Sequence, residues 1–329
     1  MKKCISLLVF SFGGVFLLLG GAGRAAAQKD SCVTSRCHAD MGKSKIVHNP
    51  VKEGMCTTCH QVSDDPQKKT KHPNNQIITL TQQGADLCSM CHDAKNNKKV
   101  VHAPVMGGDC TFCHNPHQSS EKGLLKDTKP QLCLQCHAET IVKNMSVHAP
   151  VAAGSCPSCH DMHQSDLPKL LLKEGNDLCL TCHGAVKSLL KAGKTVHPAV
   201  EQGCMMCHAP HSSQNNRLLS SAMPGLCAQC HDPKNTKKIV HAPIMGGDCT
   251  SCHHPHQSPN KAMLKETMPA LCFQCHPDSM MKQKFMHPPV AAGDCSACHD
   301  NHQSDFANRL VLEGNALCFQ CHPDKEEGL

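Results

Sequence analysis

Two thiols three residues apart, followed at once by an imidazole, recur along this chain. The motif Cys-x-x-Cys-His occurs twelve times. Its cysteines are Cys56 and Cys59, Cys88 and Cys91, Cys110 and Cys113, Cys133 and Cys136, Cys156 and Cys159, and Cys179 and Cys182. They continue with Cys204 and Cys207, Cys227 and Cys230, Cys249 and Cys252, Cys272 and Cys275, Cys295 and Cys298, and Cys318 and Cys321. The closing histidines are His60, His92, His114, His137, His160, His183, His208, His231, His253, His276, His299 and His322. A wider version stands first, at Cys32, Cys37 and His38, and with it the motifs use all 26 cysteines beyond Cys4. Chance placement would give about 0.2 copies of the narrow motif. A disulfide scaffold has no use for a histidine after every second cysteine, and zinc sites pair two such clusters without needing one after each. The pattern is the attachment signature of c-type haem.

Helical geometry explains the residue types. Positions i and i+3 share a face and i+4 lies beside them, so two thiols add to the vinyl groups of one porphyrin edge while the histidine reaches the iron. In the wide motif the second cysteine and the histidine keep their register, so it too is expected to load a haem. Thirteen covalent haems c follow. Thirteen further histidines lie outside the motifs, and twelve of them are patterned. His48, His102, His148, His197, His241 and His287 precede a motif by seven or eight residues; His117, His163, His211, His256 and His302 follow a motif histidine by three; His72 stands in the longest gap. Their number and placement point to second axial ligands. His254 breaks the pattern and reads as a solvated residue or a local tuner. Twelve ligands for thirteen irons leave one haem short. The wide first site, with Met41 nearby, is the candidate.

The elements that hold these residues are short. The first cysteines of successive motifs mostly stand 22 to 25 residues apart. Only five Phe follow residue 27, and the chain has no Trp or Tyr. So little apolar filler cannot wrap each macrocycle separately. The expected fold is therefore mainly irregular, extended and haem-cored, with essentially no β-sheet. Short α-helices are expected at the attachment turns and in runs such as residues 167–183. Residues 1–27 read as a cleaved signal peptide: Lys2 and Lys3, an apolar run, then an Ala-x-Ala site. A longer period lies above the motif spacing. "HAPVMGGDCTFCHNPHQS" at His102 returns as "HAPIMGGDCTSCHHPHQS" at His241, a shift of 139 residues. The chain thus divides into six-haem modules over 28–178 and 179–317, with a terminal haem site and tail at 318–329.

The block His-x-Pro-Val-x-x-Gly-x-Cys-x-x-Cys-His-x-x-His-Gln-Ser followed by Leu-Cys-x-x-Cys-His resembles the doubled C-x-x-C-H multihaem cytochromes. That group includes the pentahaem donor to periplasmic nitrite reductase and the decahaem conduits threaded through outer-membrane porins. The likeness covers nearly all of residues 48–322. It departs at the first pair, where His60 is followed by Gln-Val-Ser with no histidine at +3 and His72 is the substitute on offer. The resemblance implies bis-histidine haems in a continuous row and electron transfer without substrate chemistry.

Beyond residue 27 the lysines and arginines exceed the acids by three. With propionates counted, the loaded chain runs from about −10 oxidised to about −23 reduced, and the lysines are expected to meet propionates. Stacking aromatics and recognition motifs are missing, which argues against nucleic acid. The expected function is an electron carrier, not an enzyme, with low-potential haems, in the periplasm or across or outside the outer membrane. Its expected partners are redox proteins: an inner-membrane quinol-linked donor and an outer-membrane or extracellular acceptor, with a porin or self-association possible. The alternatives are a reductase working at the under-ligated haem and a filament-forming subunit.

Overall fold

The computed structural model describes Cys32 and residues 38–64, 78–192 and 195–328. The leader at 1–27, Cys37 and His72 lie outside the described residues. Of the described residues, one compact unit gathers those up to Leu87 with His114–Leu125; a second gathers Cys88–Cys113 with those from Lys126 onward.

Each repeat is built from one-turn pieces with local causes. A histidine such as His102 or His148 sits in extended backbone just ahead of a four-residue helix, Ala103–Met106 or Ala149–Ala152, with proline in the first turn. Proline suits that position because its missing N–H has no partner there in any case. None of these leading histidines caps its helix through the side chain, so the imidazole stays available for other work. A glycine in the left-handed region then ends the turn. At Gly154 (φ +66°) a Cβ would come within 2.7 Å of the Lys129 backbone, and at Gly293 (φ +73°) within 2.6 Å of Pro269. Glycine alone meets both demands.

The first motif of a repeat follows on a tight turn, as at Cys156–Ser158 and Cys249–Ser251. The second ends a short helix, as at Gln131–Leu134 and Gly225–Ala228. In both settings the histidine N–H reaches back to the carbonyl of the first cysteine, at 3.1 Å for His160 and 3.0 Å for His137. The two thiols and the ring therefore share one face.

Sheet is confined to small two-stranded antiparallel ladders. In the first unit Ile46–Val47 pairs with Gln118–Ser119, and His60–Val62 pairs with Ile78–Leu80. In the second unit the first kind of ladder recurs four times. Val100–Val101 meets Gln164–Ser165, Ser146–Val147 meets Ser212–Ser213, Thr195–Val196 meets Gln257–Ser258, and Ile239–Val240 meets Gln303–Ser304. Each joins the strand ahead of one repeat's leading histidine to the Gln-Ser or Ser-Ser pair of the next repeat. Neighbour-only contact of this kind is the mark of a repeat array.

The run 167–183 is not one helix. Lys169 and Leu170 adopt left-handed backbone (φ 57° and 58°), Leu171 bridges back to His160, and only Gly175–Cys179 is helical before the motif. Burial confirms how little side-chain core exists. The buried polar residues are Gln164, Ser165, Ser213, Gln257, Ser258, Gln303 and Ser304, all in these ladders, and Ser258 is the one fully buried side chain among the described residues.

Candidate haem-binding sites

The ladders bring histidines of different repeats face to face. His60 lies opposite His117 with ring centroids 5.9 Å apart. In the second unit His160 meets His211 at 6.0 Å, His208 meets His256 at 6.2 Å and His253 meets His302 at 6.0 Å. The rule is that a +3 histidine serves the first motif of the preceding repeat. The leading histidines follow another rule, facing the second motif of their own repeat. His102 meets His137 at 6.1 Å, His148 meets His183 at 6.0 Å, His197 meets His231 at 6.0 Å, His241 meets His276 at 6.1 Å and His287 meets His322 at 6.1 Å.

These separations fit an intervening haem iron. A metal–imidazole bond is about 2.0 Å, and a ring centroid lies about 1.1 Å behind its ligating nitrogen, so two axial imidazoles hold their centroids about 6.2 Å apart. A bare ion between two such rings would lack further protein ligands, since no group of three His, Cys, Asp or Glu among the described residues could hold one. None of the described cysteines is disulfide-bonded, as thioether formation to haem requires.

Second partners aim the rings. Nδ1 of the first-motif histidines bonds a backbone carbonyl: His114 to Gly123 at 2.7 Å, His160 to Lys169 at 2.8 Å, His208 to Arg217 at 3.0 Å, His253 to Ala262 at 2.8 Å and His299 to Asn308 at 2.9 Å. With Nδ1–H donated to a carbonyl, Nε2 is left bare as the ligating atom. Every accepting residue is left-handed, with φ from 55° to 57° at Lys169, Arg217, Ala262 and Asn308 and 75° at Gly123. A non-glycine residue held there costs about 1–2 kcal/mol, and that strain turns the carbonyl onto the imidazole. Leading histidines use the same device across the ladder: Nδ1 of His48 bonds Pro116 O at 2.8 Å, His102 bonds Met162 O at 3.0 Å and His148 bonds Pro210 O at 3.0 Å.

Burial lowers the pKa of His117, His211, His256 and His302, and nearby histidines add to this at each. These rings are thereby kept neutral, the form that binds a metal. His254 is not simply solvated: its Nδ1 is buried without a hydrogen-bond partner, and its ring stands 6.3 Å from His256.

The thiols mark neighbouring sites. In the second unit burial first, then the adjacent Cys156 thiol, pushes Cys133 up to about 11; Cys227 rises to about 11 in the same way, beside Cys249. Cys179 is raised by burial and Cys204, and Cys272 by burial and Cys295. Within a repeat, Cys113 is raised by burial and Cys136, and Cys159 by burial and Cys179. Between Cys113 and Cys295, attachment cysteines of neighbouring motifs thus lie close together.

The structure corrects one expectation. His60 does not need His72 in place of a missing +3 histidine, because His117 lies opposite it. Position 63 can be serine because a +3 histidine serves the repeat before its own. Sequence reasoning missed the carbonyl clamps and the buried Gln and Ser. Gln164 Oε1 accepts from Asn97 N at 2.7 Å and Lys98 N at 3.1 Å, and Gln303 Oε1 accepts from Thr236 N at 2.6 Å and Lys237 N at 3.0 Å. The signal was present in the repeated His-Gln-Ser.

Comparison with known proteins agrees with this geometry. The family model described as "Doubled CXXCH motif" matches residues 48–97, 102–141, 148–188, 197–236, 241–281 and 287–327. Multiheme cytochrome MtrA of Shewanella baltica (strain OS185) is 32% identical over 131 residues, 37% of this chain; the match spans 36% of the relative's own length. Six matched repeats, each with two attachment motifs and paired imidazoles at haem spacing, place this chain in the doubled C-x-x-C-H family of multihaem c-type cytochromes, which bind haem c covalently.

Proposed function

We propose that the chain carries electrons along a row of thirteen haems, held by the twelve narrow motifs and the wide one at Cys32, Cys37 and His38. The carrying observation is the succession of imidazole pairs in the second unit, their ring centroids 6.0 to 6.2 Å apart, with attachment cysteines of several neighbouring motifs close together. Haems anchored there touch their neighbours, so an electron finds the next acceptor without leaving the protein. Imidazoles on both faces close most irons to substrates and, without methionine, keep potentials low. Each electron adds charge beside other haems, so the potentials are coupled and spread out.

The chain works after export, in the periplasm or at the outer membrane. It exchanges electrons with a quinol-linked donor and an outer-membrane or extracellular acceptor; the resemblance to porin-embedded conduits supports the latter. Among the described residues no helix is long and apolar enough to cross a membrane. Lysines between motifs pair with propionates, since the described ion pairs, such as Lys43–Asp40 and Lys282–Asp278, only join sequence neighbours at the surface. The test is intact mass and film voltammetry of protein matured in a haem-attaching host. Residues 28–329 plus thirteen haems and fast reversible exchange are expected. Several high-spin ferric haems in low-temperature EPR would overturn the reading.

A further inference from the structure

One facing pair in the second unit is turned out of line. The ring planes of His102 and His137 lie 18° apart, those of His148 and His183 16°, and those of His241 and His276 21°. His197 and His231, with centroids 6.0 Å apart, are twisted by 56°. The carbonyl clamp is missing at the same residue. Nδ1 of His102, His148 and His241 bonds a carbonyl across the ladder, at 3.0, 3.0 and 3.1 Å. Among the described residues Nδ1 of His197 makes no such bond, although its N–H keeps the ladder contact to His256 O at 3.0 Å.

The sequence supplies a local cause. His197 is followed at once by Pro198, whereas His102, His148 and His241 are followed by alanine and only then by proline. The Cδ of a proline crowds the N–H and Cβ of the residue before it, which narrows the directions the imidazole can take. His287 also directly precedes a proline, and its pair with His322 is twisted to an intermediate 33°. The link from His197 to the first cysteine of its repeat is in addition one residue shorter than in the other repeats, seven instead of eight.

Each axial ring plane contains its own bond to the iron, so the angle between the planes is the twist of one ligand against the other. Parallel rings donate π density into the same iron d orbital and raise it, which favours the ferric state. Crossed rings spread that donation over two orbitals, leave them close in energy and favour the ferric state less. A carbonyl on Nδ1–H makes an imidazole more basic, so the unclamped His197 is also the weaker donor. Both effects raise the reduction potential. We propose that His197 is a positioning residue that makes the haem on Cys227, Cys230 and His231 hold an electron in preference to the haems on the clamped pairs of His102, His148 and His241. A neighbouring ferrous haem gives one electron to the ferric iron there and becomes ferric itself; the electron leaves by the same exchange with the next ferric haem. This rests on the haem-attachment reading above and adds an order of potentials to it.

The test is low-temperature EPR of the fully loaded chain during a potentiometric titration, read as differences between the unmodified protein and matched variants. His197→Ala removes the twisted pair and His148→Ala a nearly parallel one, and intact mass checks that each variant keeps its haems. The component lost in His197→Ala is expected to be low-spin with one g value far above the rhombic signals; the component lost in His148→Ala is expected to be rhombic. As the potential is lowered, the first should disappear before the second. Should His197→Ala fail to mature, Cys227→Ala with Cys230→Ala should lower the mass by one haem and delete the same component. Two rhombic components would overturn the proposal, and so would a His197-dependent component reduced at or below the potential of its counterpart. Either result, in a chain that carries its haems and exchanges electrons with an electrode, leaves the carrier reading intact.

Discussion

Removing the hydroxyl of Ser304 isolates what the buried ladders contribute. Ser304 is 3% exposed; its Oγ donates to Leu310 O at 2.6 Å and accepts from Phe306 N at 3.0 Å. Ser304→Ala leaves both backbone groups without that partner. At about 1–3 kcal/mol per unsatisfied buried group, with some relaxation, the expected cost is about 2–3 kcal/mol. Ser258 is the internal control. It makes the same two bonds, to Leu264 O at 2.6 Å and from Asn260 N at 3.0 Å, and is more buried still, at 1% exposure. There, however, Asn260 Nδ2 stands 3.1 Å from Leu264 O and keeps that carbonyl partnered after the change. Ser258→Ala should therefore cost only about 1–2 kcal/mol, roughly 1 less than its counterpart. Burial alone would predict the reverse order. Native-state amide exchange of the loaded protein, read over residues 302–311 and 256–265, gives local opening free energies without assuming a two-state array. Equal costs, or the larger cost at Ser258, would refute this use of the hydrogen bonds.

Gly293→Ala should destabilise the sixth repeat by about 2–4 kcal/mol, from left-handed backbone plus the collision with Pro269. Gly314→Ala faces open space but sits at φ +58°, ψ −139°, backbone that glycine alone enters readily, so it should cost the backbone part only, about 1–3 kcal/mol, and thermal melts of the two variants compare them. Burial raises the Asp300 pKa, but the N–H groups of His302 at 2.8 Å and Gln303 at 3.0 Å outweigh it and the net shift is downward. A lowered folded pKa gives stability that is present above the ordinary carboxyl range and lost as pH falls through the folded value. Asp300→Ala should therefore cost about 1 kcal/mol at neutral pH, and the gap from the unmodified chain should close in acid denaturation below the ordinary carboxyl pKa.

The doubled Cys-x-x-Cys-His repeats were legible in the sequence, because covalent chemistry needs its residues at fixed local spacing and a single turn delivers it. The short-element fold was legible for a related reason: five Phe beyond the leader and a motif every two dozen residues leave no material for a side-chain core. The second imidazoles could be counted from their spacing but not assigned. His211 is three residues from His208 yet faces His160, because the Gln-Ser ladders cross from one repeat to the next. Sequence proximity pointed to the wrong partner for His60 in the same way.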